Sequence, residues 1–272
     1  MMPADFRRRV ISDRLVGYRA KIARAKEHLR ELKESIDSFI LDRNAYSVIK
    51  EPNPETGVFV FRLQLHRSPP LTEWSLIIGD CIHNMRSALD HLFWQLVLLE
   101  NPNGVADTTA SFPILRDRGT FKGRKAKIER WIGQRAATMV ENMQPYQGAG
   151  PDKNPFLFIH SCDITDKHKL LVPFVGITEH GEIALKPGEF NTPSIRTEFL
   201  GGPLENGTIL ATITVSPPEG VVDVDFNPTL GIVFETDPIA HIVLPSLEML
   251  IFVVESVGTE FVPLFPDHDS PP

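Results

Sequence analysis

The sequence predicts an α+β protein: a helical bundle with a long N-terminal helix, a β-hairpin insertion and a Pro-rich antiparallel β region, closed by a C-terminal helix. Three observations carry this prediction. Apolar residues recur at helical spacing over long stretches near both ends of the chain, and two runs of β-branched and aromatic residues flank "NPETG". In addition, 15 of the 23 prolines lie from Pro151 onward, among short β-like runs. The expected division is a bundle over residues 1–172 with its hairpin at about 45–65, a β region over 173–237, a closing helix over 238–262 and a tail over 263–272.

From Arg7 to about Arg43 the only glycine is Gly17, and Leu15, Tyr18, Ile22, Ala25, Leu29, Leu32, Ile36 and Phe39 form one apolar seam. That 3-4 spacing predicts a long helix whose arginine-rich first half faces solvent. "NPETG" then turns the chain between "AYSVIK" and "VFVFRLQL", giving the hairpin. A second helix is expected from about Leu71 to Glu100, ended by "NPNG", and a third, with a basic start, from about Phe121 to Met143. Asn154 and Pro155 have the chemistry of an N-cap and first helical residue for a fourth, short helix to about Lys169. "GTILATITV", "VVDVDF" and "LGIVFET" read as antiparallel strands, and "PSLEMLIFVVESVGTEF" as the last helix.

Composition sets the class. The apolar share of 42% and charged share of 23% are those of an ordinary globular chain, and no apolar run is long enough for a membrane span. The start lacks the apolar region of a secretory signal, and Cys81 and Cys162 make no disulfide framework, so the cytoplasm is the expected location and no membrane the expected partner. The net charge of −7 conceals an asymmetry: residues 1–150 carry +6 and residues 151–272 carry −13. A basic half attracts polyanions; an acidic half repels them or neutralises the basic one.

The second helix holds the feature that points to function. In "GDCIHNMRSALDHLFWQL", residues 79–96, Asp80, His83, Asn84, Ser87, Asp90, His91 and Trp94 fall within an arc of roughly 120° on a helical wheel. Between Trp74 and Leu99 there is neither Lys nor Glu, the residues that usually populate a solvated helix face. Asp, Asn, Ser and His are poor interior helix formers, so their accumulation has a cost that a site would offset. In the fourth helix His160, Asp163 and Lys167 share a face, with Asp166 and His168 close by. Asp80-x-x-His83 and His160-x-x-Asp163 run in opposite chain order, which suits two antiparallel helices that meet. The competing reading is a structural network in which each His is hydrogen-bonded to an Asp without chemistry.

"RSALDH", Arg86 to His91, resembles the arginine-x4-to-6-histidine pattern of the HEPN superfamily of helical domains, many of them metal-independent ribonucleases. The wider motif with the later "DKHKLL" also resembles a set of bacterial proteins. The resemblance covers about residues 7–170, with Ser87 where Asn, Asp or His more commonly follows the arginine. It implies that His91 is the general base or acid for attack by a ribose 2′-hydroxyl, that Arg86 stabilises the phosphoryl charge, and that the basic helices hold RNA without a cofactor. On this reading His91, Arg86, Asp90 and His83 are the catalytic set, and Asn84, Ser87, Lys167 and His168 line the substrate position.

Two other functions fit the same residues. Asp80, His83, His160 and Asp163 offer two imidazoles and two carboxylates, a first shell suited to Zn, Mn or Fe in a metal-dependent hydrolase, with Asp90, His91 and Asp166 behind it. Alternatively, the bundle and sheet form a non-catalytic interaction module whose first helix pairs through its seam with a partner or with a second copy, the latter giving a homodimer through helices. The sequence has no P-loop, dinucleotide glycine fingerprint, nucleophile elbow or Cys-x-x-Cys pair.

Overall fold

The computed structural model describes residues 14–42, 44–53, 55–105, 107, 109–148, 150, 154–171, 173–187, 194–199, 205–216, 221–234 and 241–265. Arg7, Arg8 and Arg9 of the expected first helix, and most of the expected tail, lie outside them. The chain is α+β. Its helices are α1 (Val16–Leu41), α2 (Leu71–Glu100), α3 (Arg118–Asn142), α4 (Pro155–His168) and α5 (Val243–Phe261). Its strands are β1 (Tyr46–Asn53), β2 (Val58–Leu65), β3 (Pro173–Pro187), β4 (Ser194–Phe199), β5 (Ile209–Ser216), β6 (Val221–Phe234) and β7 (His241–Ile242). The chain divides into two compact units, one drawn from residues 1–31, 76–171 and 245–272 and the other from 32–75 and 172–244. No helix among the described residues is long and apolar enough to cross a membrane.

In the first, helical unit α2 is the central element. Ile78, Cys81, Ile82, Met85, Ala88, Leu89, Leu92, Phe93, Leu96 and Val97 are wholly buried, so nearly the entire apolar side of the wheel is core. Burial of that many large side chains, at roughly 1.5–3 kcal/mol each, outweighs the poor helix propensity of the polar stripe. Neighbours grip α2 along its length. The Cys81 thiol donates to the Ala25 carbonyl of α1 at 3.4 Å. Near its C-terminus the Asn101 amide donates to the Arg130 and Trp131 carbonyls of α3 at 3.2 and 2.8 Å. The last helix returns to this unit as expected: Tyr18 of α1 donates its hydroxyl to the Val254 carbonyl and accepts the Gly258 N–H at 2.9 Å.

The third helix departs from the expected single rod. It begins at Arg118, capped by the Asp117 carboxylate on the Thr120 N–H, and breaks at Gly133, whose φ of 75° and ψ of 160° are not helical. A straight helix would hold Lys125 and Glu141 about 24 Å apart along its axis. Their side chains instead meet at 2.8 Å, so α3 is a hairpin of two arms with Gly133 at the vertex. Glycine is required there because such a φ/ψ pair is strained for any L side chain, and a Cβ would lie 2.8 Å from the Glu100 carboxylate.

In the second unit, β1 and β2 form the expected hairpin, from Tyr46↔Leu65 to Asn53↔Val58. It is part of a larger sheet, because β2 pairs antiparallel with β5, giving the order β1-β2-β5-β4. A three-stranded sheet has the order β3-β6-β7. "VVDVDF" and "LGIVF" belong to one strand, β6, rather than two; the intervening Asn227 and Pro228 still pair with Glu182 and Gly181 of β3. Phe61 of β2 and Phe226 of β6 place their ring centroids 5.3 Å apart, and Lys50 reaches the Asp223 carboxylate at 2.6 Å, so the two sheets are joined by an apolar and an ionic contact.

Candidate functional site

Helices α2 and α4 meet where the sequence pattern brings them together. Asn154 caps α4 by accepting from the Phe156 and Leu157 N–H groups, and Pro155 occupies its first turn, which sets the start of the helix. One residue before the α2 stripe, Gly79 lets α4 approach: a Cβ there would overlap the Asp166 carboxyl. That close approach puts the Asp163 carboxylate beneath His83.

Asp163 is the buried centre of the site, with its side chain only 3% exposed. Its Oδ1 lies 3.0 Å from His83 Nδ1 and its Oδ2 accepts from Lys167 Nζ at 2.6 Å. A carboxylate can only accept, so Nδ1 carries the hydrogen and the lone pair of a neutral ring sits on Nε2. The His83 side chain is 50% exposed, and the Ser87 hydroxyl lies 3.4 Å from Nε2. The arrangement therefore holds one ring nitrogen from below and offers the other as a proton acceptor.

Arg86 and Asp90 do something different. Arg86 is buried, donates from Nη2 to the Phe112 carbonyl at 2.9 Å and pairs with Asp90 Oδ1 at 2.8 Å; that same Oδ1 accepts the Phe112 N–H at 2.9 Å. One residue of the segment before α3 thus has both its backbone groups held by two side chains one turn apart on α2. Burial pushes the Asp90 carboxyl above the ordinary aspartate value, and the Arg86 charge opposes this. Arg86 Nη1 and His160 Nδ1 are both buried without a hydrogen-bond partner among the described residues. Burial and then the Arg86 charge hold the His160 imidazole below its ordinary pKa, favouring the neutral ring.

The remaining stripe residues spread outward. Asn84 is buried, donating to the Asp80 carbonyl at 2.8 Å and accepting from Lys21 of α1 at 3.3 Å. Asp80, His91, Trp94 and His168 are exposed. His91 rests against α1, where a Cβ on Gly17 would collide with its ring. Burial, followed by the charges of Asp80 and Asp163, raises the Asp166 carboxyl above the ordinary aspartate value.

Of the expected site residues, the structure thus brings together His83, Asp163, Lys167 and Ser87. Arg86 and Asp90 form a second cluster, with the Arg86 charge acting on His160. Arg86 and His91 do not converge: the arginine is committed to Asp90 and Phe112 while the histidine faces α1. Asp80-x-x-His83 and His160-x-x-Asp163 meet through one diagonal, His83 to Asp163. Among the described residues no group of three or more His, Cys, Asp or Glu side chains is arranged to hold a metal ion. The stripe is also wetter than a buried network, since Asp80, His83 and His91 all reach solvent. Sequence reasoning missed Phe112, whose role is carried by its backbone and leaves no side-chain signature. It also missed Gly79, an interior helix glycine one residue before the stripe that signalled the close approach. Both cysteines are buried and free, and burial pushes each thiol up to about 12, as suits core residues. Comparison with protein-family models, with curated proteins and with solved structures finds no match for the chain.

Proposed function

We propose that the chain cleaves RNA phosphodiester bonds without a metal, with His83 as the acid–base group. The observation that carries this is the half-exposed His83 imidazole held at Nδ1 by the buried Asp163 carboxylate, which leaves Nε2 free to take a proton. Such a carboxylate fixes the tautomer and stabilises the imidazolium that forms. In the reaction, His83 Nε2 removes the proton of a ribose 2′-hydroxyl and the 2′-oxygen attacks phosphorus. The bond to the 5′-oxygen breaks, and His83 returns the proton to that oxygen, leaving a 2′,3′-cyclic phosphate and a 5′-hydroxyl. Lys167, 53% exposed beside the same carboxylate, supplies positive charge toward the phosphoryl oxygens.

The local charge balance supports an anionic substrate despite four aspartates. Of the four, Asp80, Asp90, Asp163 and Asp166, two carry their own cation: Asp163 is offset by Lys167 and Asp90 by Arg86. The resemblance of "RSALDH" to the HEPN pattern supports the substrate class, but the proton-transfer role moves from His91 to His83. The two histidines stand eight residues apart on α2, about 12 Å along its axis, so one scissile phosphate cannot touch both. Arg86 then positions the fold around the site rather than the phosphate.

The test is cleavage of mixed-sequence RNA by purified protein in excess chelator, with the product ends identified. Cyclic phosphate ends formed in chelator support the reading. Stoichiometric Zn, Mn or Fe in the protein, with cleavage that stops on chelation and returns with the metal, transfers these helices to metal-dependent hydrolysis.

A further inference from the structure

The hydroxyl of Ser87 behaves unlike four other helix hydroxyls of the described residues. Ser75, Thr138, Ser256 and Thr259 each donate to the carbonyl four residues back, at 2.8, 3.0, 2.9 and 3.4 Å, the usual resting place of such a group. Ser87 instead points along the same face to the side chain four residues back, placing Oγ 3.4 Å from His83 Nε2. Beyond that ring, His83 Nδ1 sits 3.0 Å from the buried Asp163, itself held by Lys167 at 2.6 Å. Hydroxyl, imidazole and buried carboxylate therefore stand in the order that activates a serine nucleophile, an order defined by geometry and role rather than by fold.

We infer that Ser87 is a nucleophile toward activated esters and phosphonyl fluorides. This rests on His83 and Asp163 as the acid–base pair, as in the function proposed above, but not on RNA as the substrate. With an aryl ester, His83 Nε2 takes the Ser87 proton as the bond from Oγ to the acyl carbon forms. The acyl–oxygen bond breaks, the aryl oxide leaves and the imidazolium gives up its proton. Water then attacks the acyl-serine, His83 takes a proton from it, and Ser87 Oγ is reprotonated as the acid departs. The backbone N–H of Ser87 lies inside α2, so the developing oxyanion has no helix N–H of its own to bind. Lys167, held on the same Asp163 carboxylate as His83, is the cation left to meet that charge, which restricts the activity to electrophiles with good leaving groups. The gap of 3.4 Å is that of a resting site, since such contacts commonly shorten when substrate binds.

The experiment is intact-mass analysis of the full chain after incubation with a fluorophosphonate, followed by peptide mapping, for the wild type and for Ser87→Ala, His83→Ala and Ser75→Ala. Alanine is a better helix former than serine, and Ser87→Ala is checked by its melting curve. The expected result is a single adduct on Ser87, absent from Ser87→Ala and at least about 100-fold slower in His83→Ala, with Ser75→Ala labelled like the wild type. Para-nitrophenyl acetate hydrolysis should fall in parallel. No adduct on Ser87 under conditions that label a serine hydrolase, or an adduct formed equally fast in His83→Ala, overturns the inference. RNA cleavage in the absence of an adduct also overturns it while leaving the nuclease reading standing; an adduct without RNA cleavage supports it and discards the RNA.

Discussion

The two oxygens of Asp163 are divided between His83 Nδ1 at 3.0 Å and Lys167 Nζ at 2.6 Å, so one buried carboxylate fixes two side chains that are each about half exposed. Asp163→Asn keeps the shape but removes the charge. It can no longer stabilise an imidazolium on His83 and leaves Lys167 without its ion pair. The expected outcome is a loss of turnover of about 10- to 100-fold. The stability loss, read by urea denaturation, should be only about 1–2 kcal/mol, because solvent takes up part of the charge of both partners.

Arg86 and Asp90 hold the N–H and carbonyl of Phe112 together. Removing Arg86 leaves the buried Phe112 carbonyl without its donor and removing Asp90 leaves the buried Arg86 charge without its partner, so Arg86→Leu and Asp90→Leu should each cost about 2–4 kcal/mol. The double variant should cost clearly less than the sum, since a coupled pair is lost only once. Additive losses in a double-mutant cycle would separate the two residues. Activity per folded molecule should change far less than in variants of His83, because neither group reaches the exposed face of the imidazole.

His160 gives stability a pH dependence. Burial and the Arg86 charge hold its folded pKa below the ordinary histidine value. The unfolded chain therefore binds the proton first, and stability falls as the pH drops through the ordinary histidine range toward the folded value. His160→Gln should flatten the slope of unfolding free energy between about pH 5 and 7. Asp90 and Asp166 act in the opposite sense and at more acid pH. Their raised folded values make the native state bind protons first, so they add stability as pH falls toward the ordinary aspartate value. An unchanged slope in His160→Gln would show that the imidazole titrates normally.

The hairpin form of α3 makes a separate expectation. Gly133→Ala places a Cβ against the Glu100 carboxylate in a backbone conformation that only glycine adopts without strain. It should cost about 1–3 kcal/mol by denaturant titration. A Gly133→Ala protein as stable as the wild type would indicate that the vertex can straighten, and with it that the contact between Lys125 and Glu141 is dispensable.

Much of the architecture was legible because its signals are local. The seam from Leu15 to Phe39, the Asn154-Pro155 cap and the apolar side of α2 each report a periodicity or a dihedral preference that their own neighbourhood decides. The pairing of the hairpin with β5 was not legible, since strand partners distant in sequence leave no local mark. Nor was the break in α3: an isolated glycine within a helical pattern is usually tolerated, and it is the backbone of Gly133 together with the contact between Lys125 and Glu141 that reveals the reversal. At the site, helical spacing brought out the stripe and its partner helix, but not the division of labour within it. His83 and Arg86 lie three residues apart on one helix, yet one reaches solvent while the other is consumed by Phe112. That difference is set by what packs above each, which no helical wheel contains.

That His83 moves the proton is tested by the single-turnover rate of RNA cleavage in excess chelator for wild type and His83→Ala. Because the His83 side chain is half exposed and Lys167 still pairs with the buried Asp163, the variant should fold with only a modest loss of melting temperature. The expected result is a fall in rate of at least about 100-fold, partly restored by added imidazole, with His91→Ala much closer to the wild type. A His83→Ala protein that cleaves at the wild-type rate, or a His91→Ala protein that alone loses activity, would contradict it.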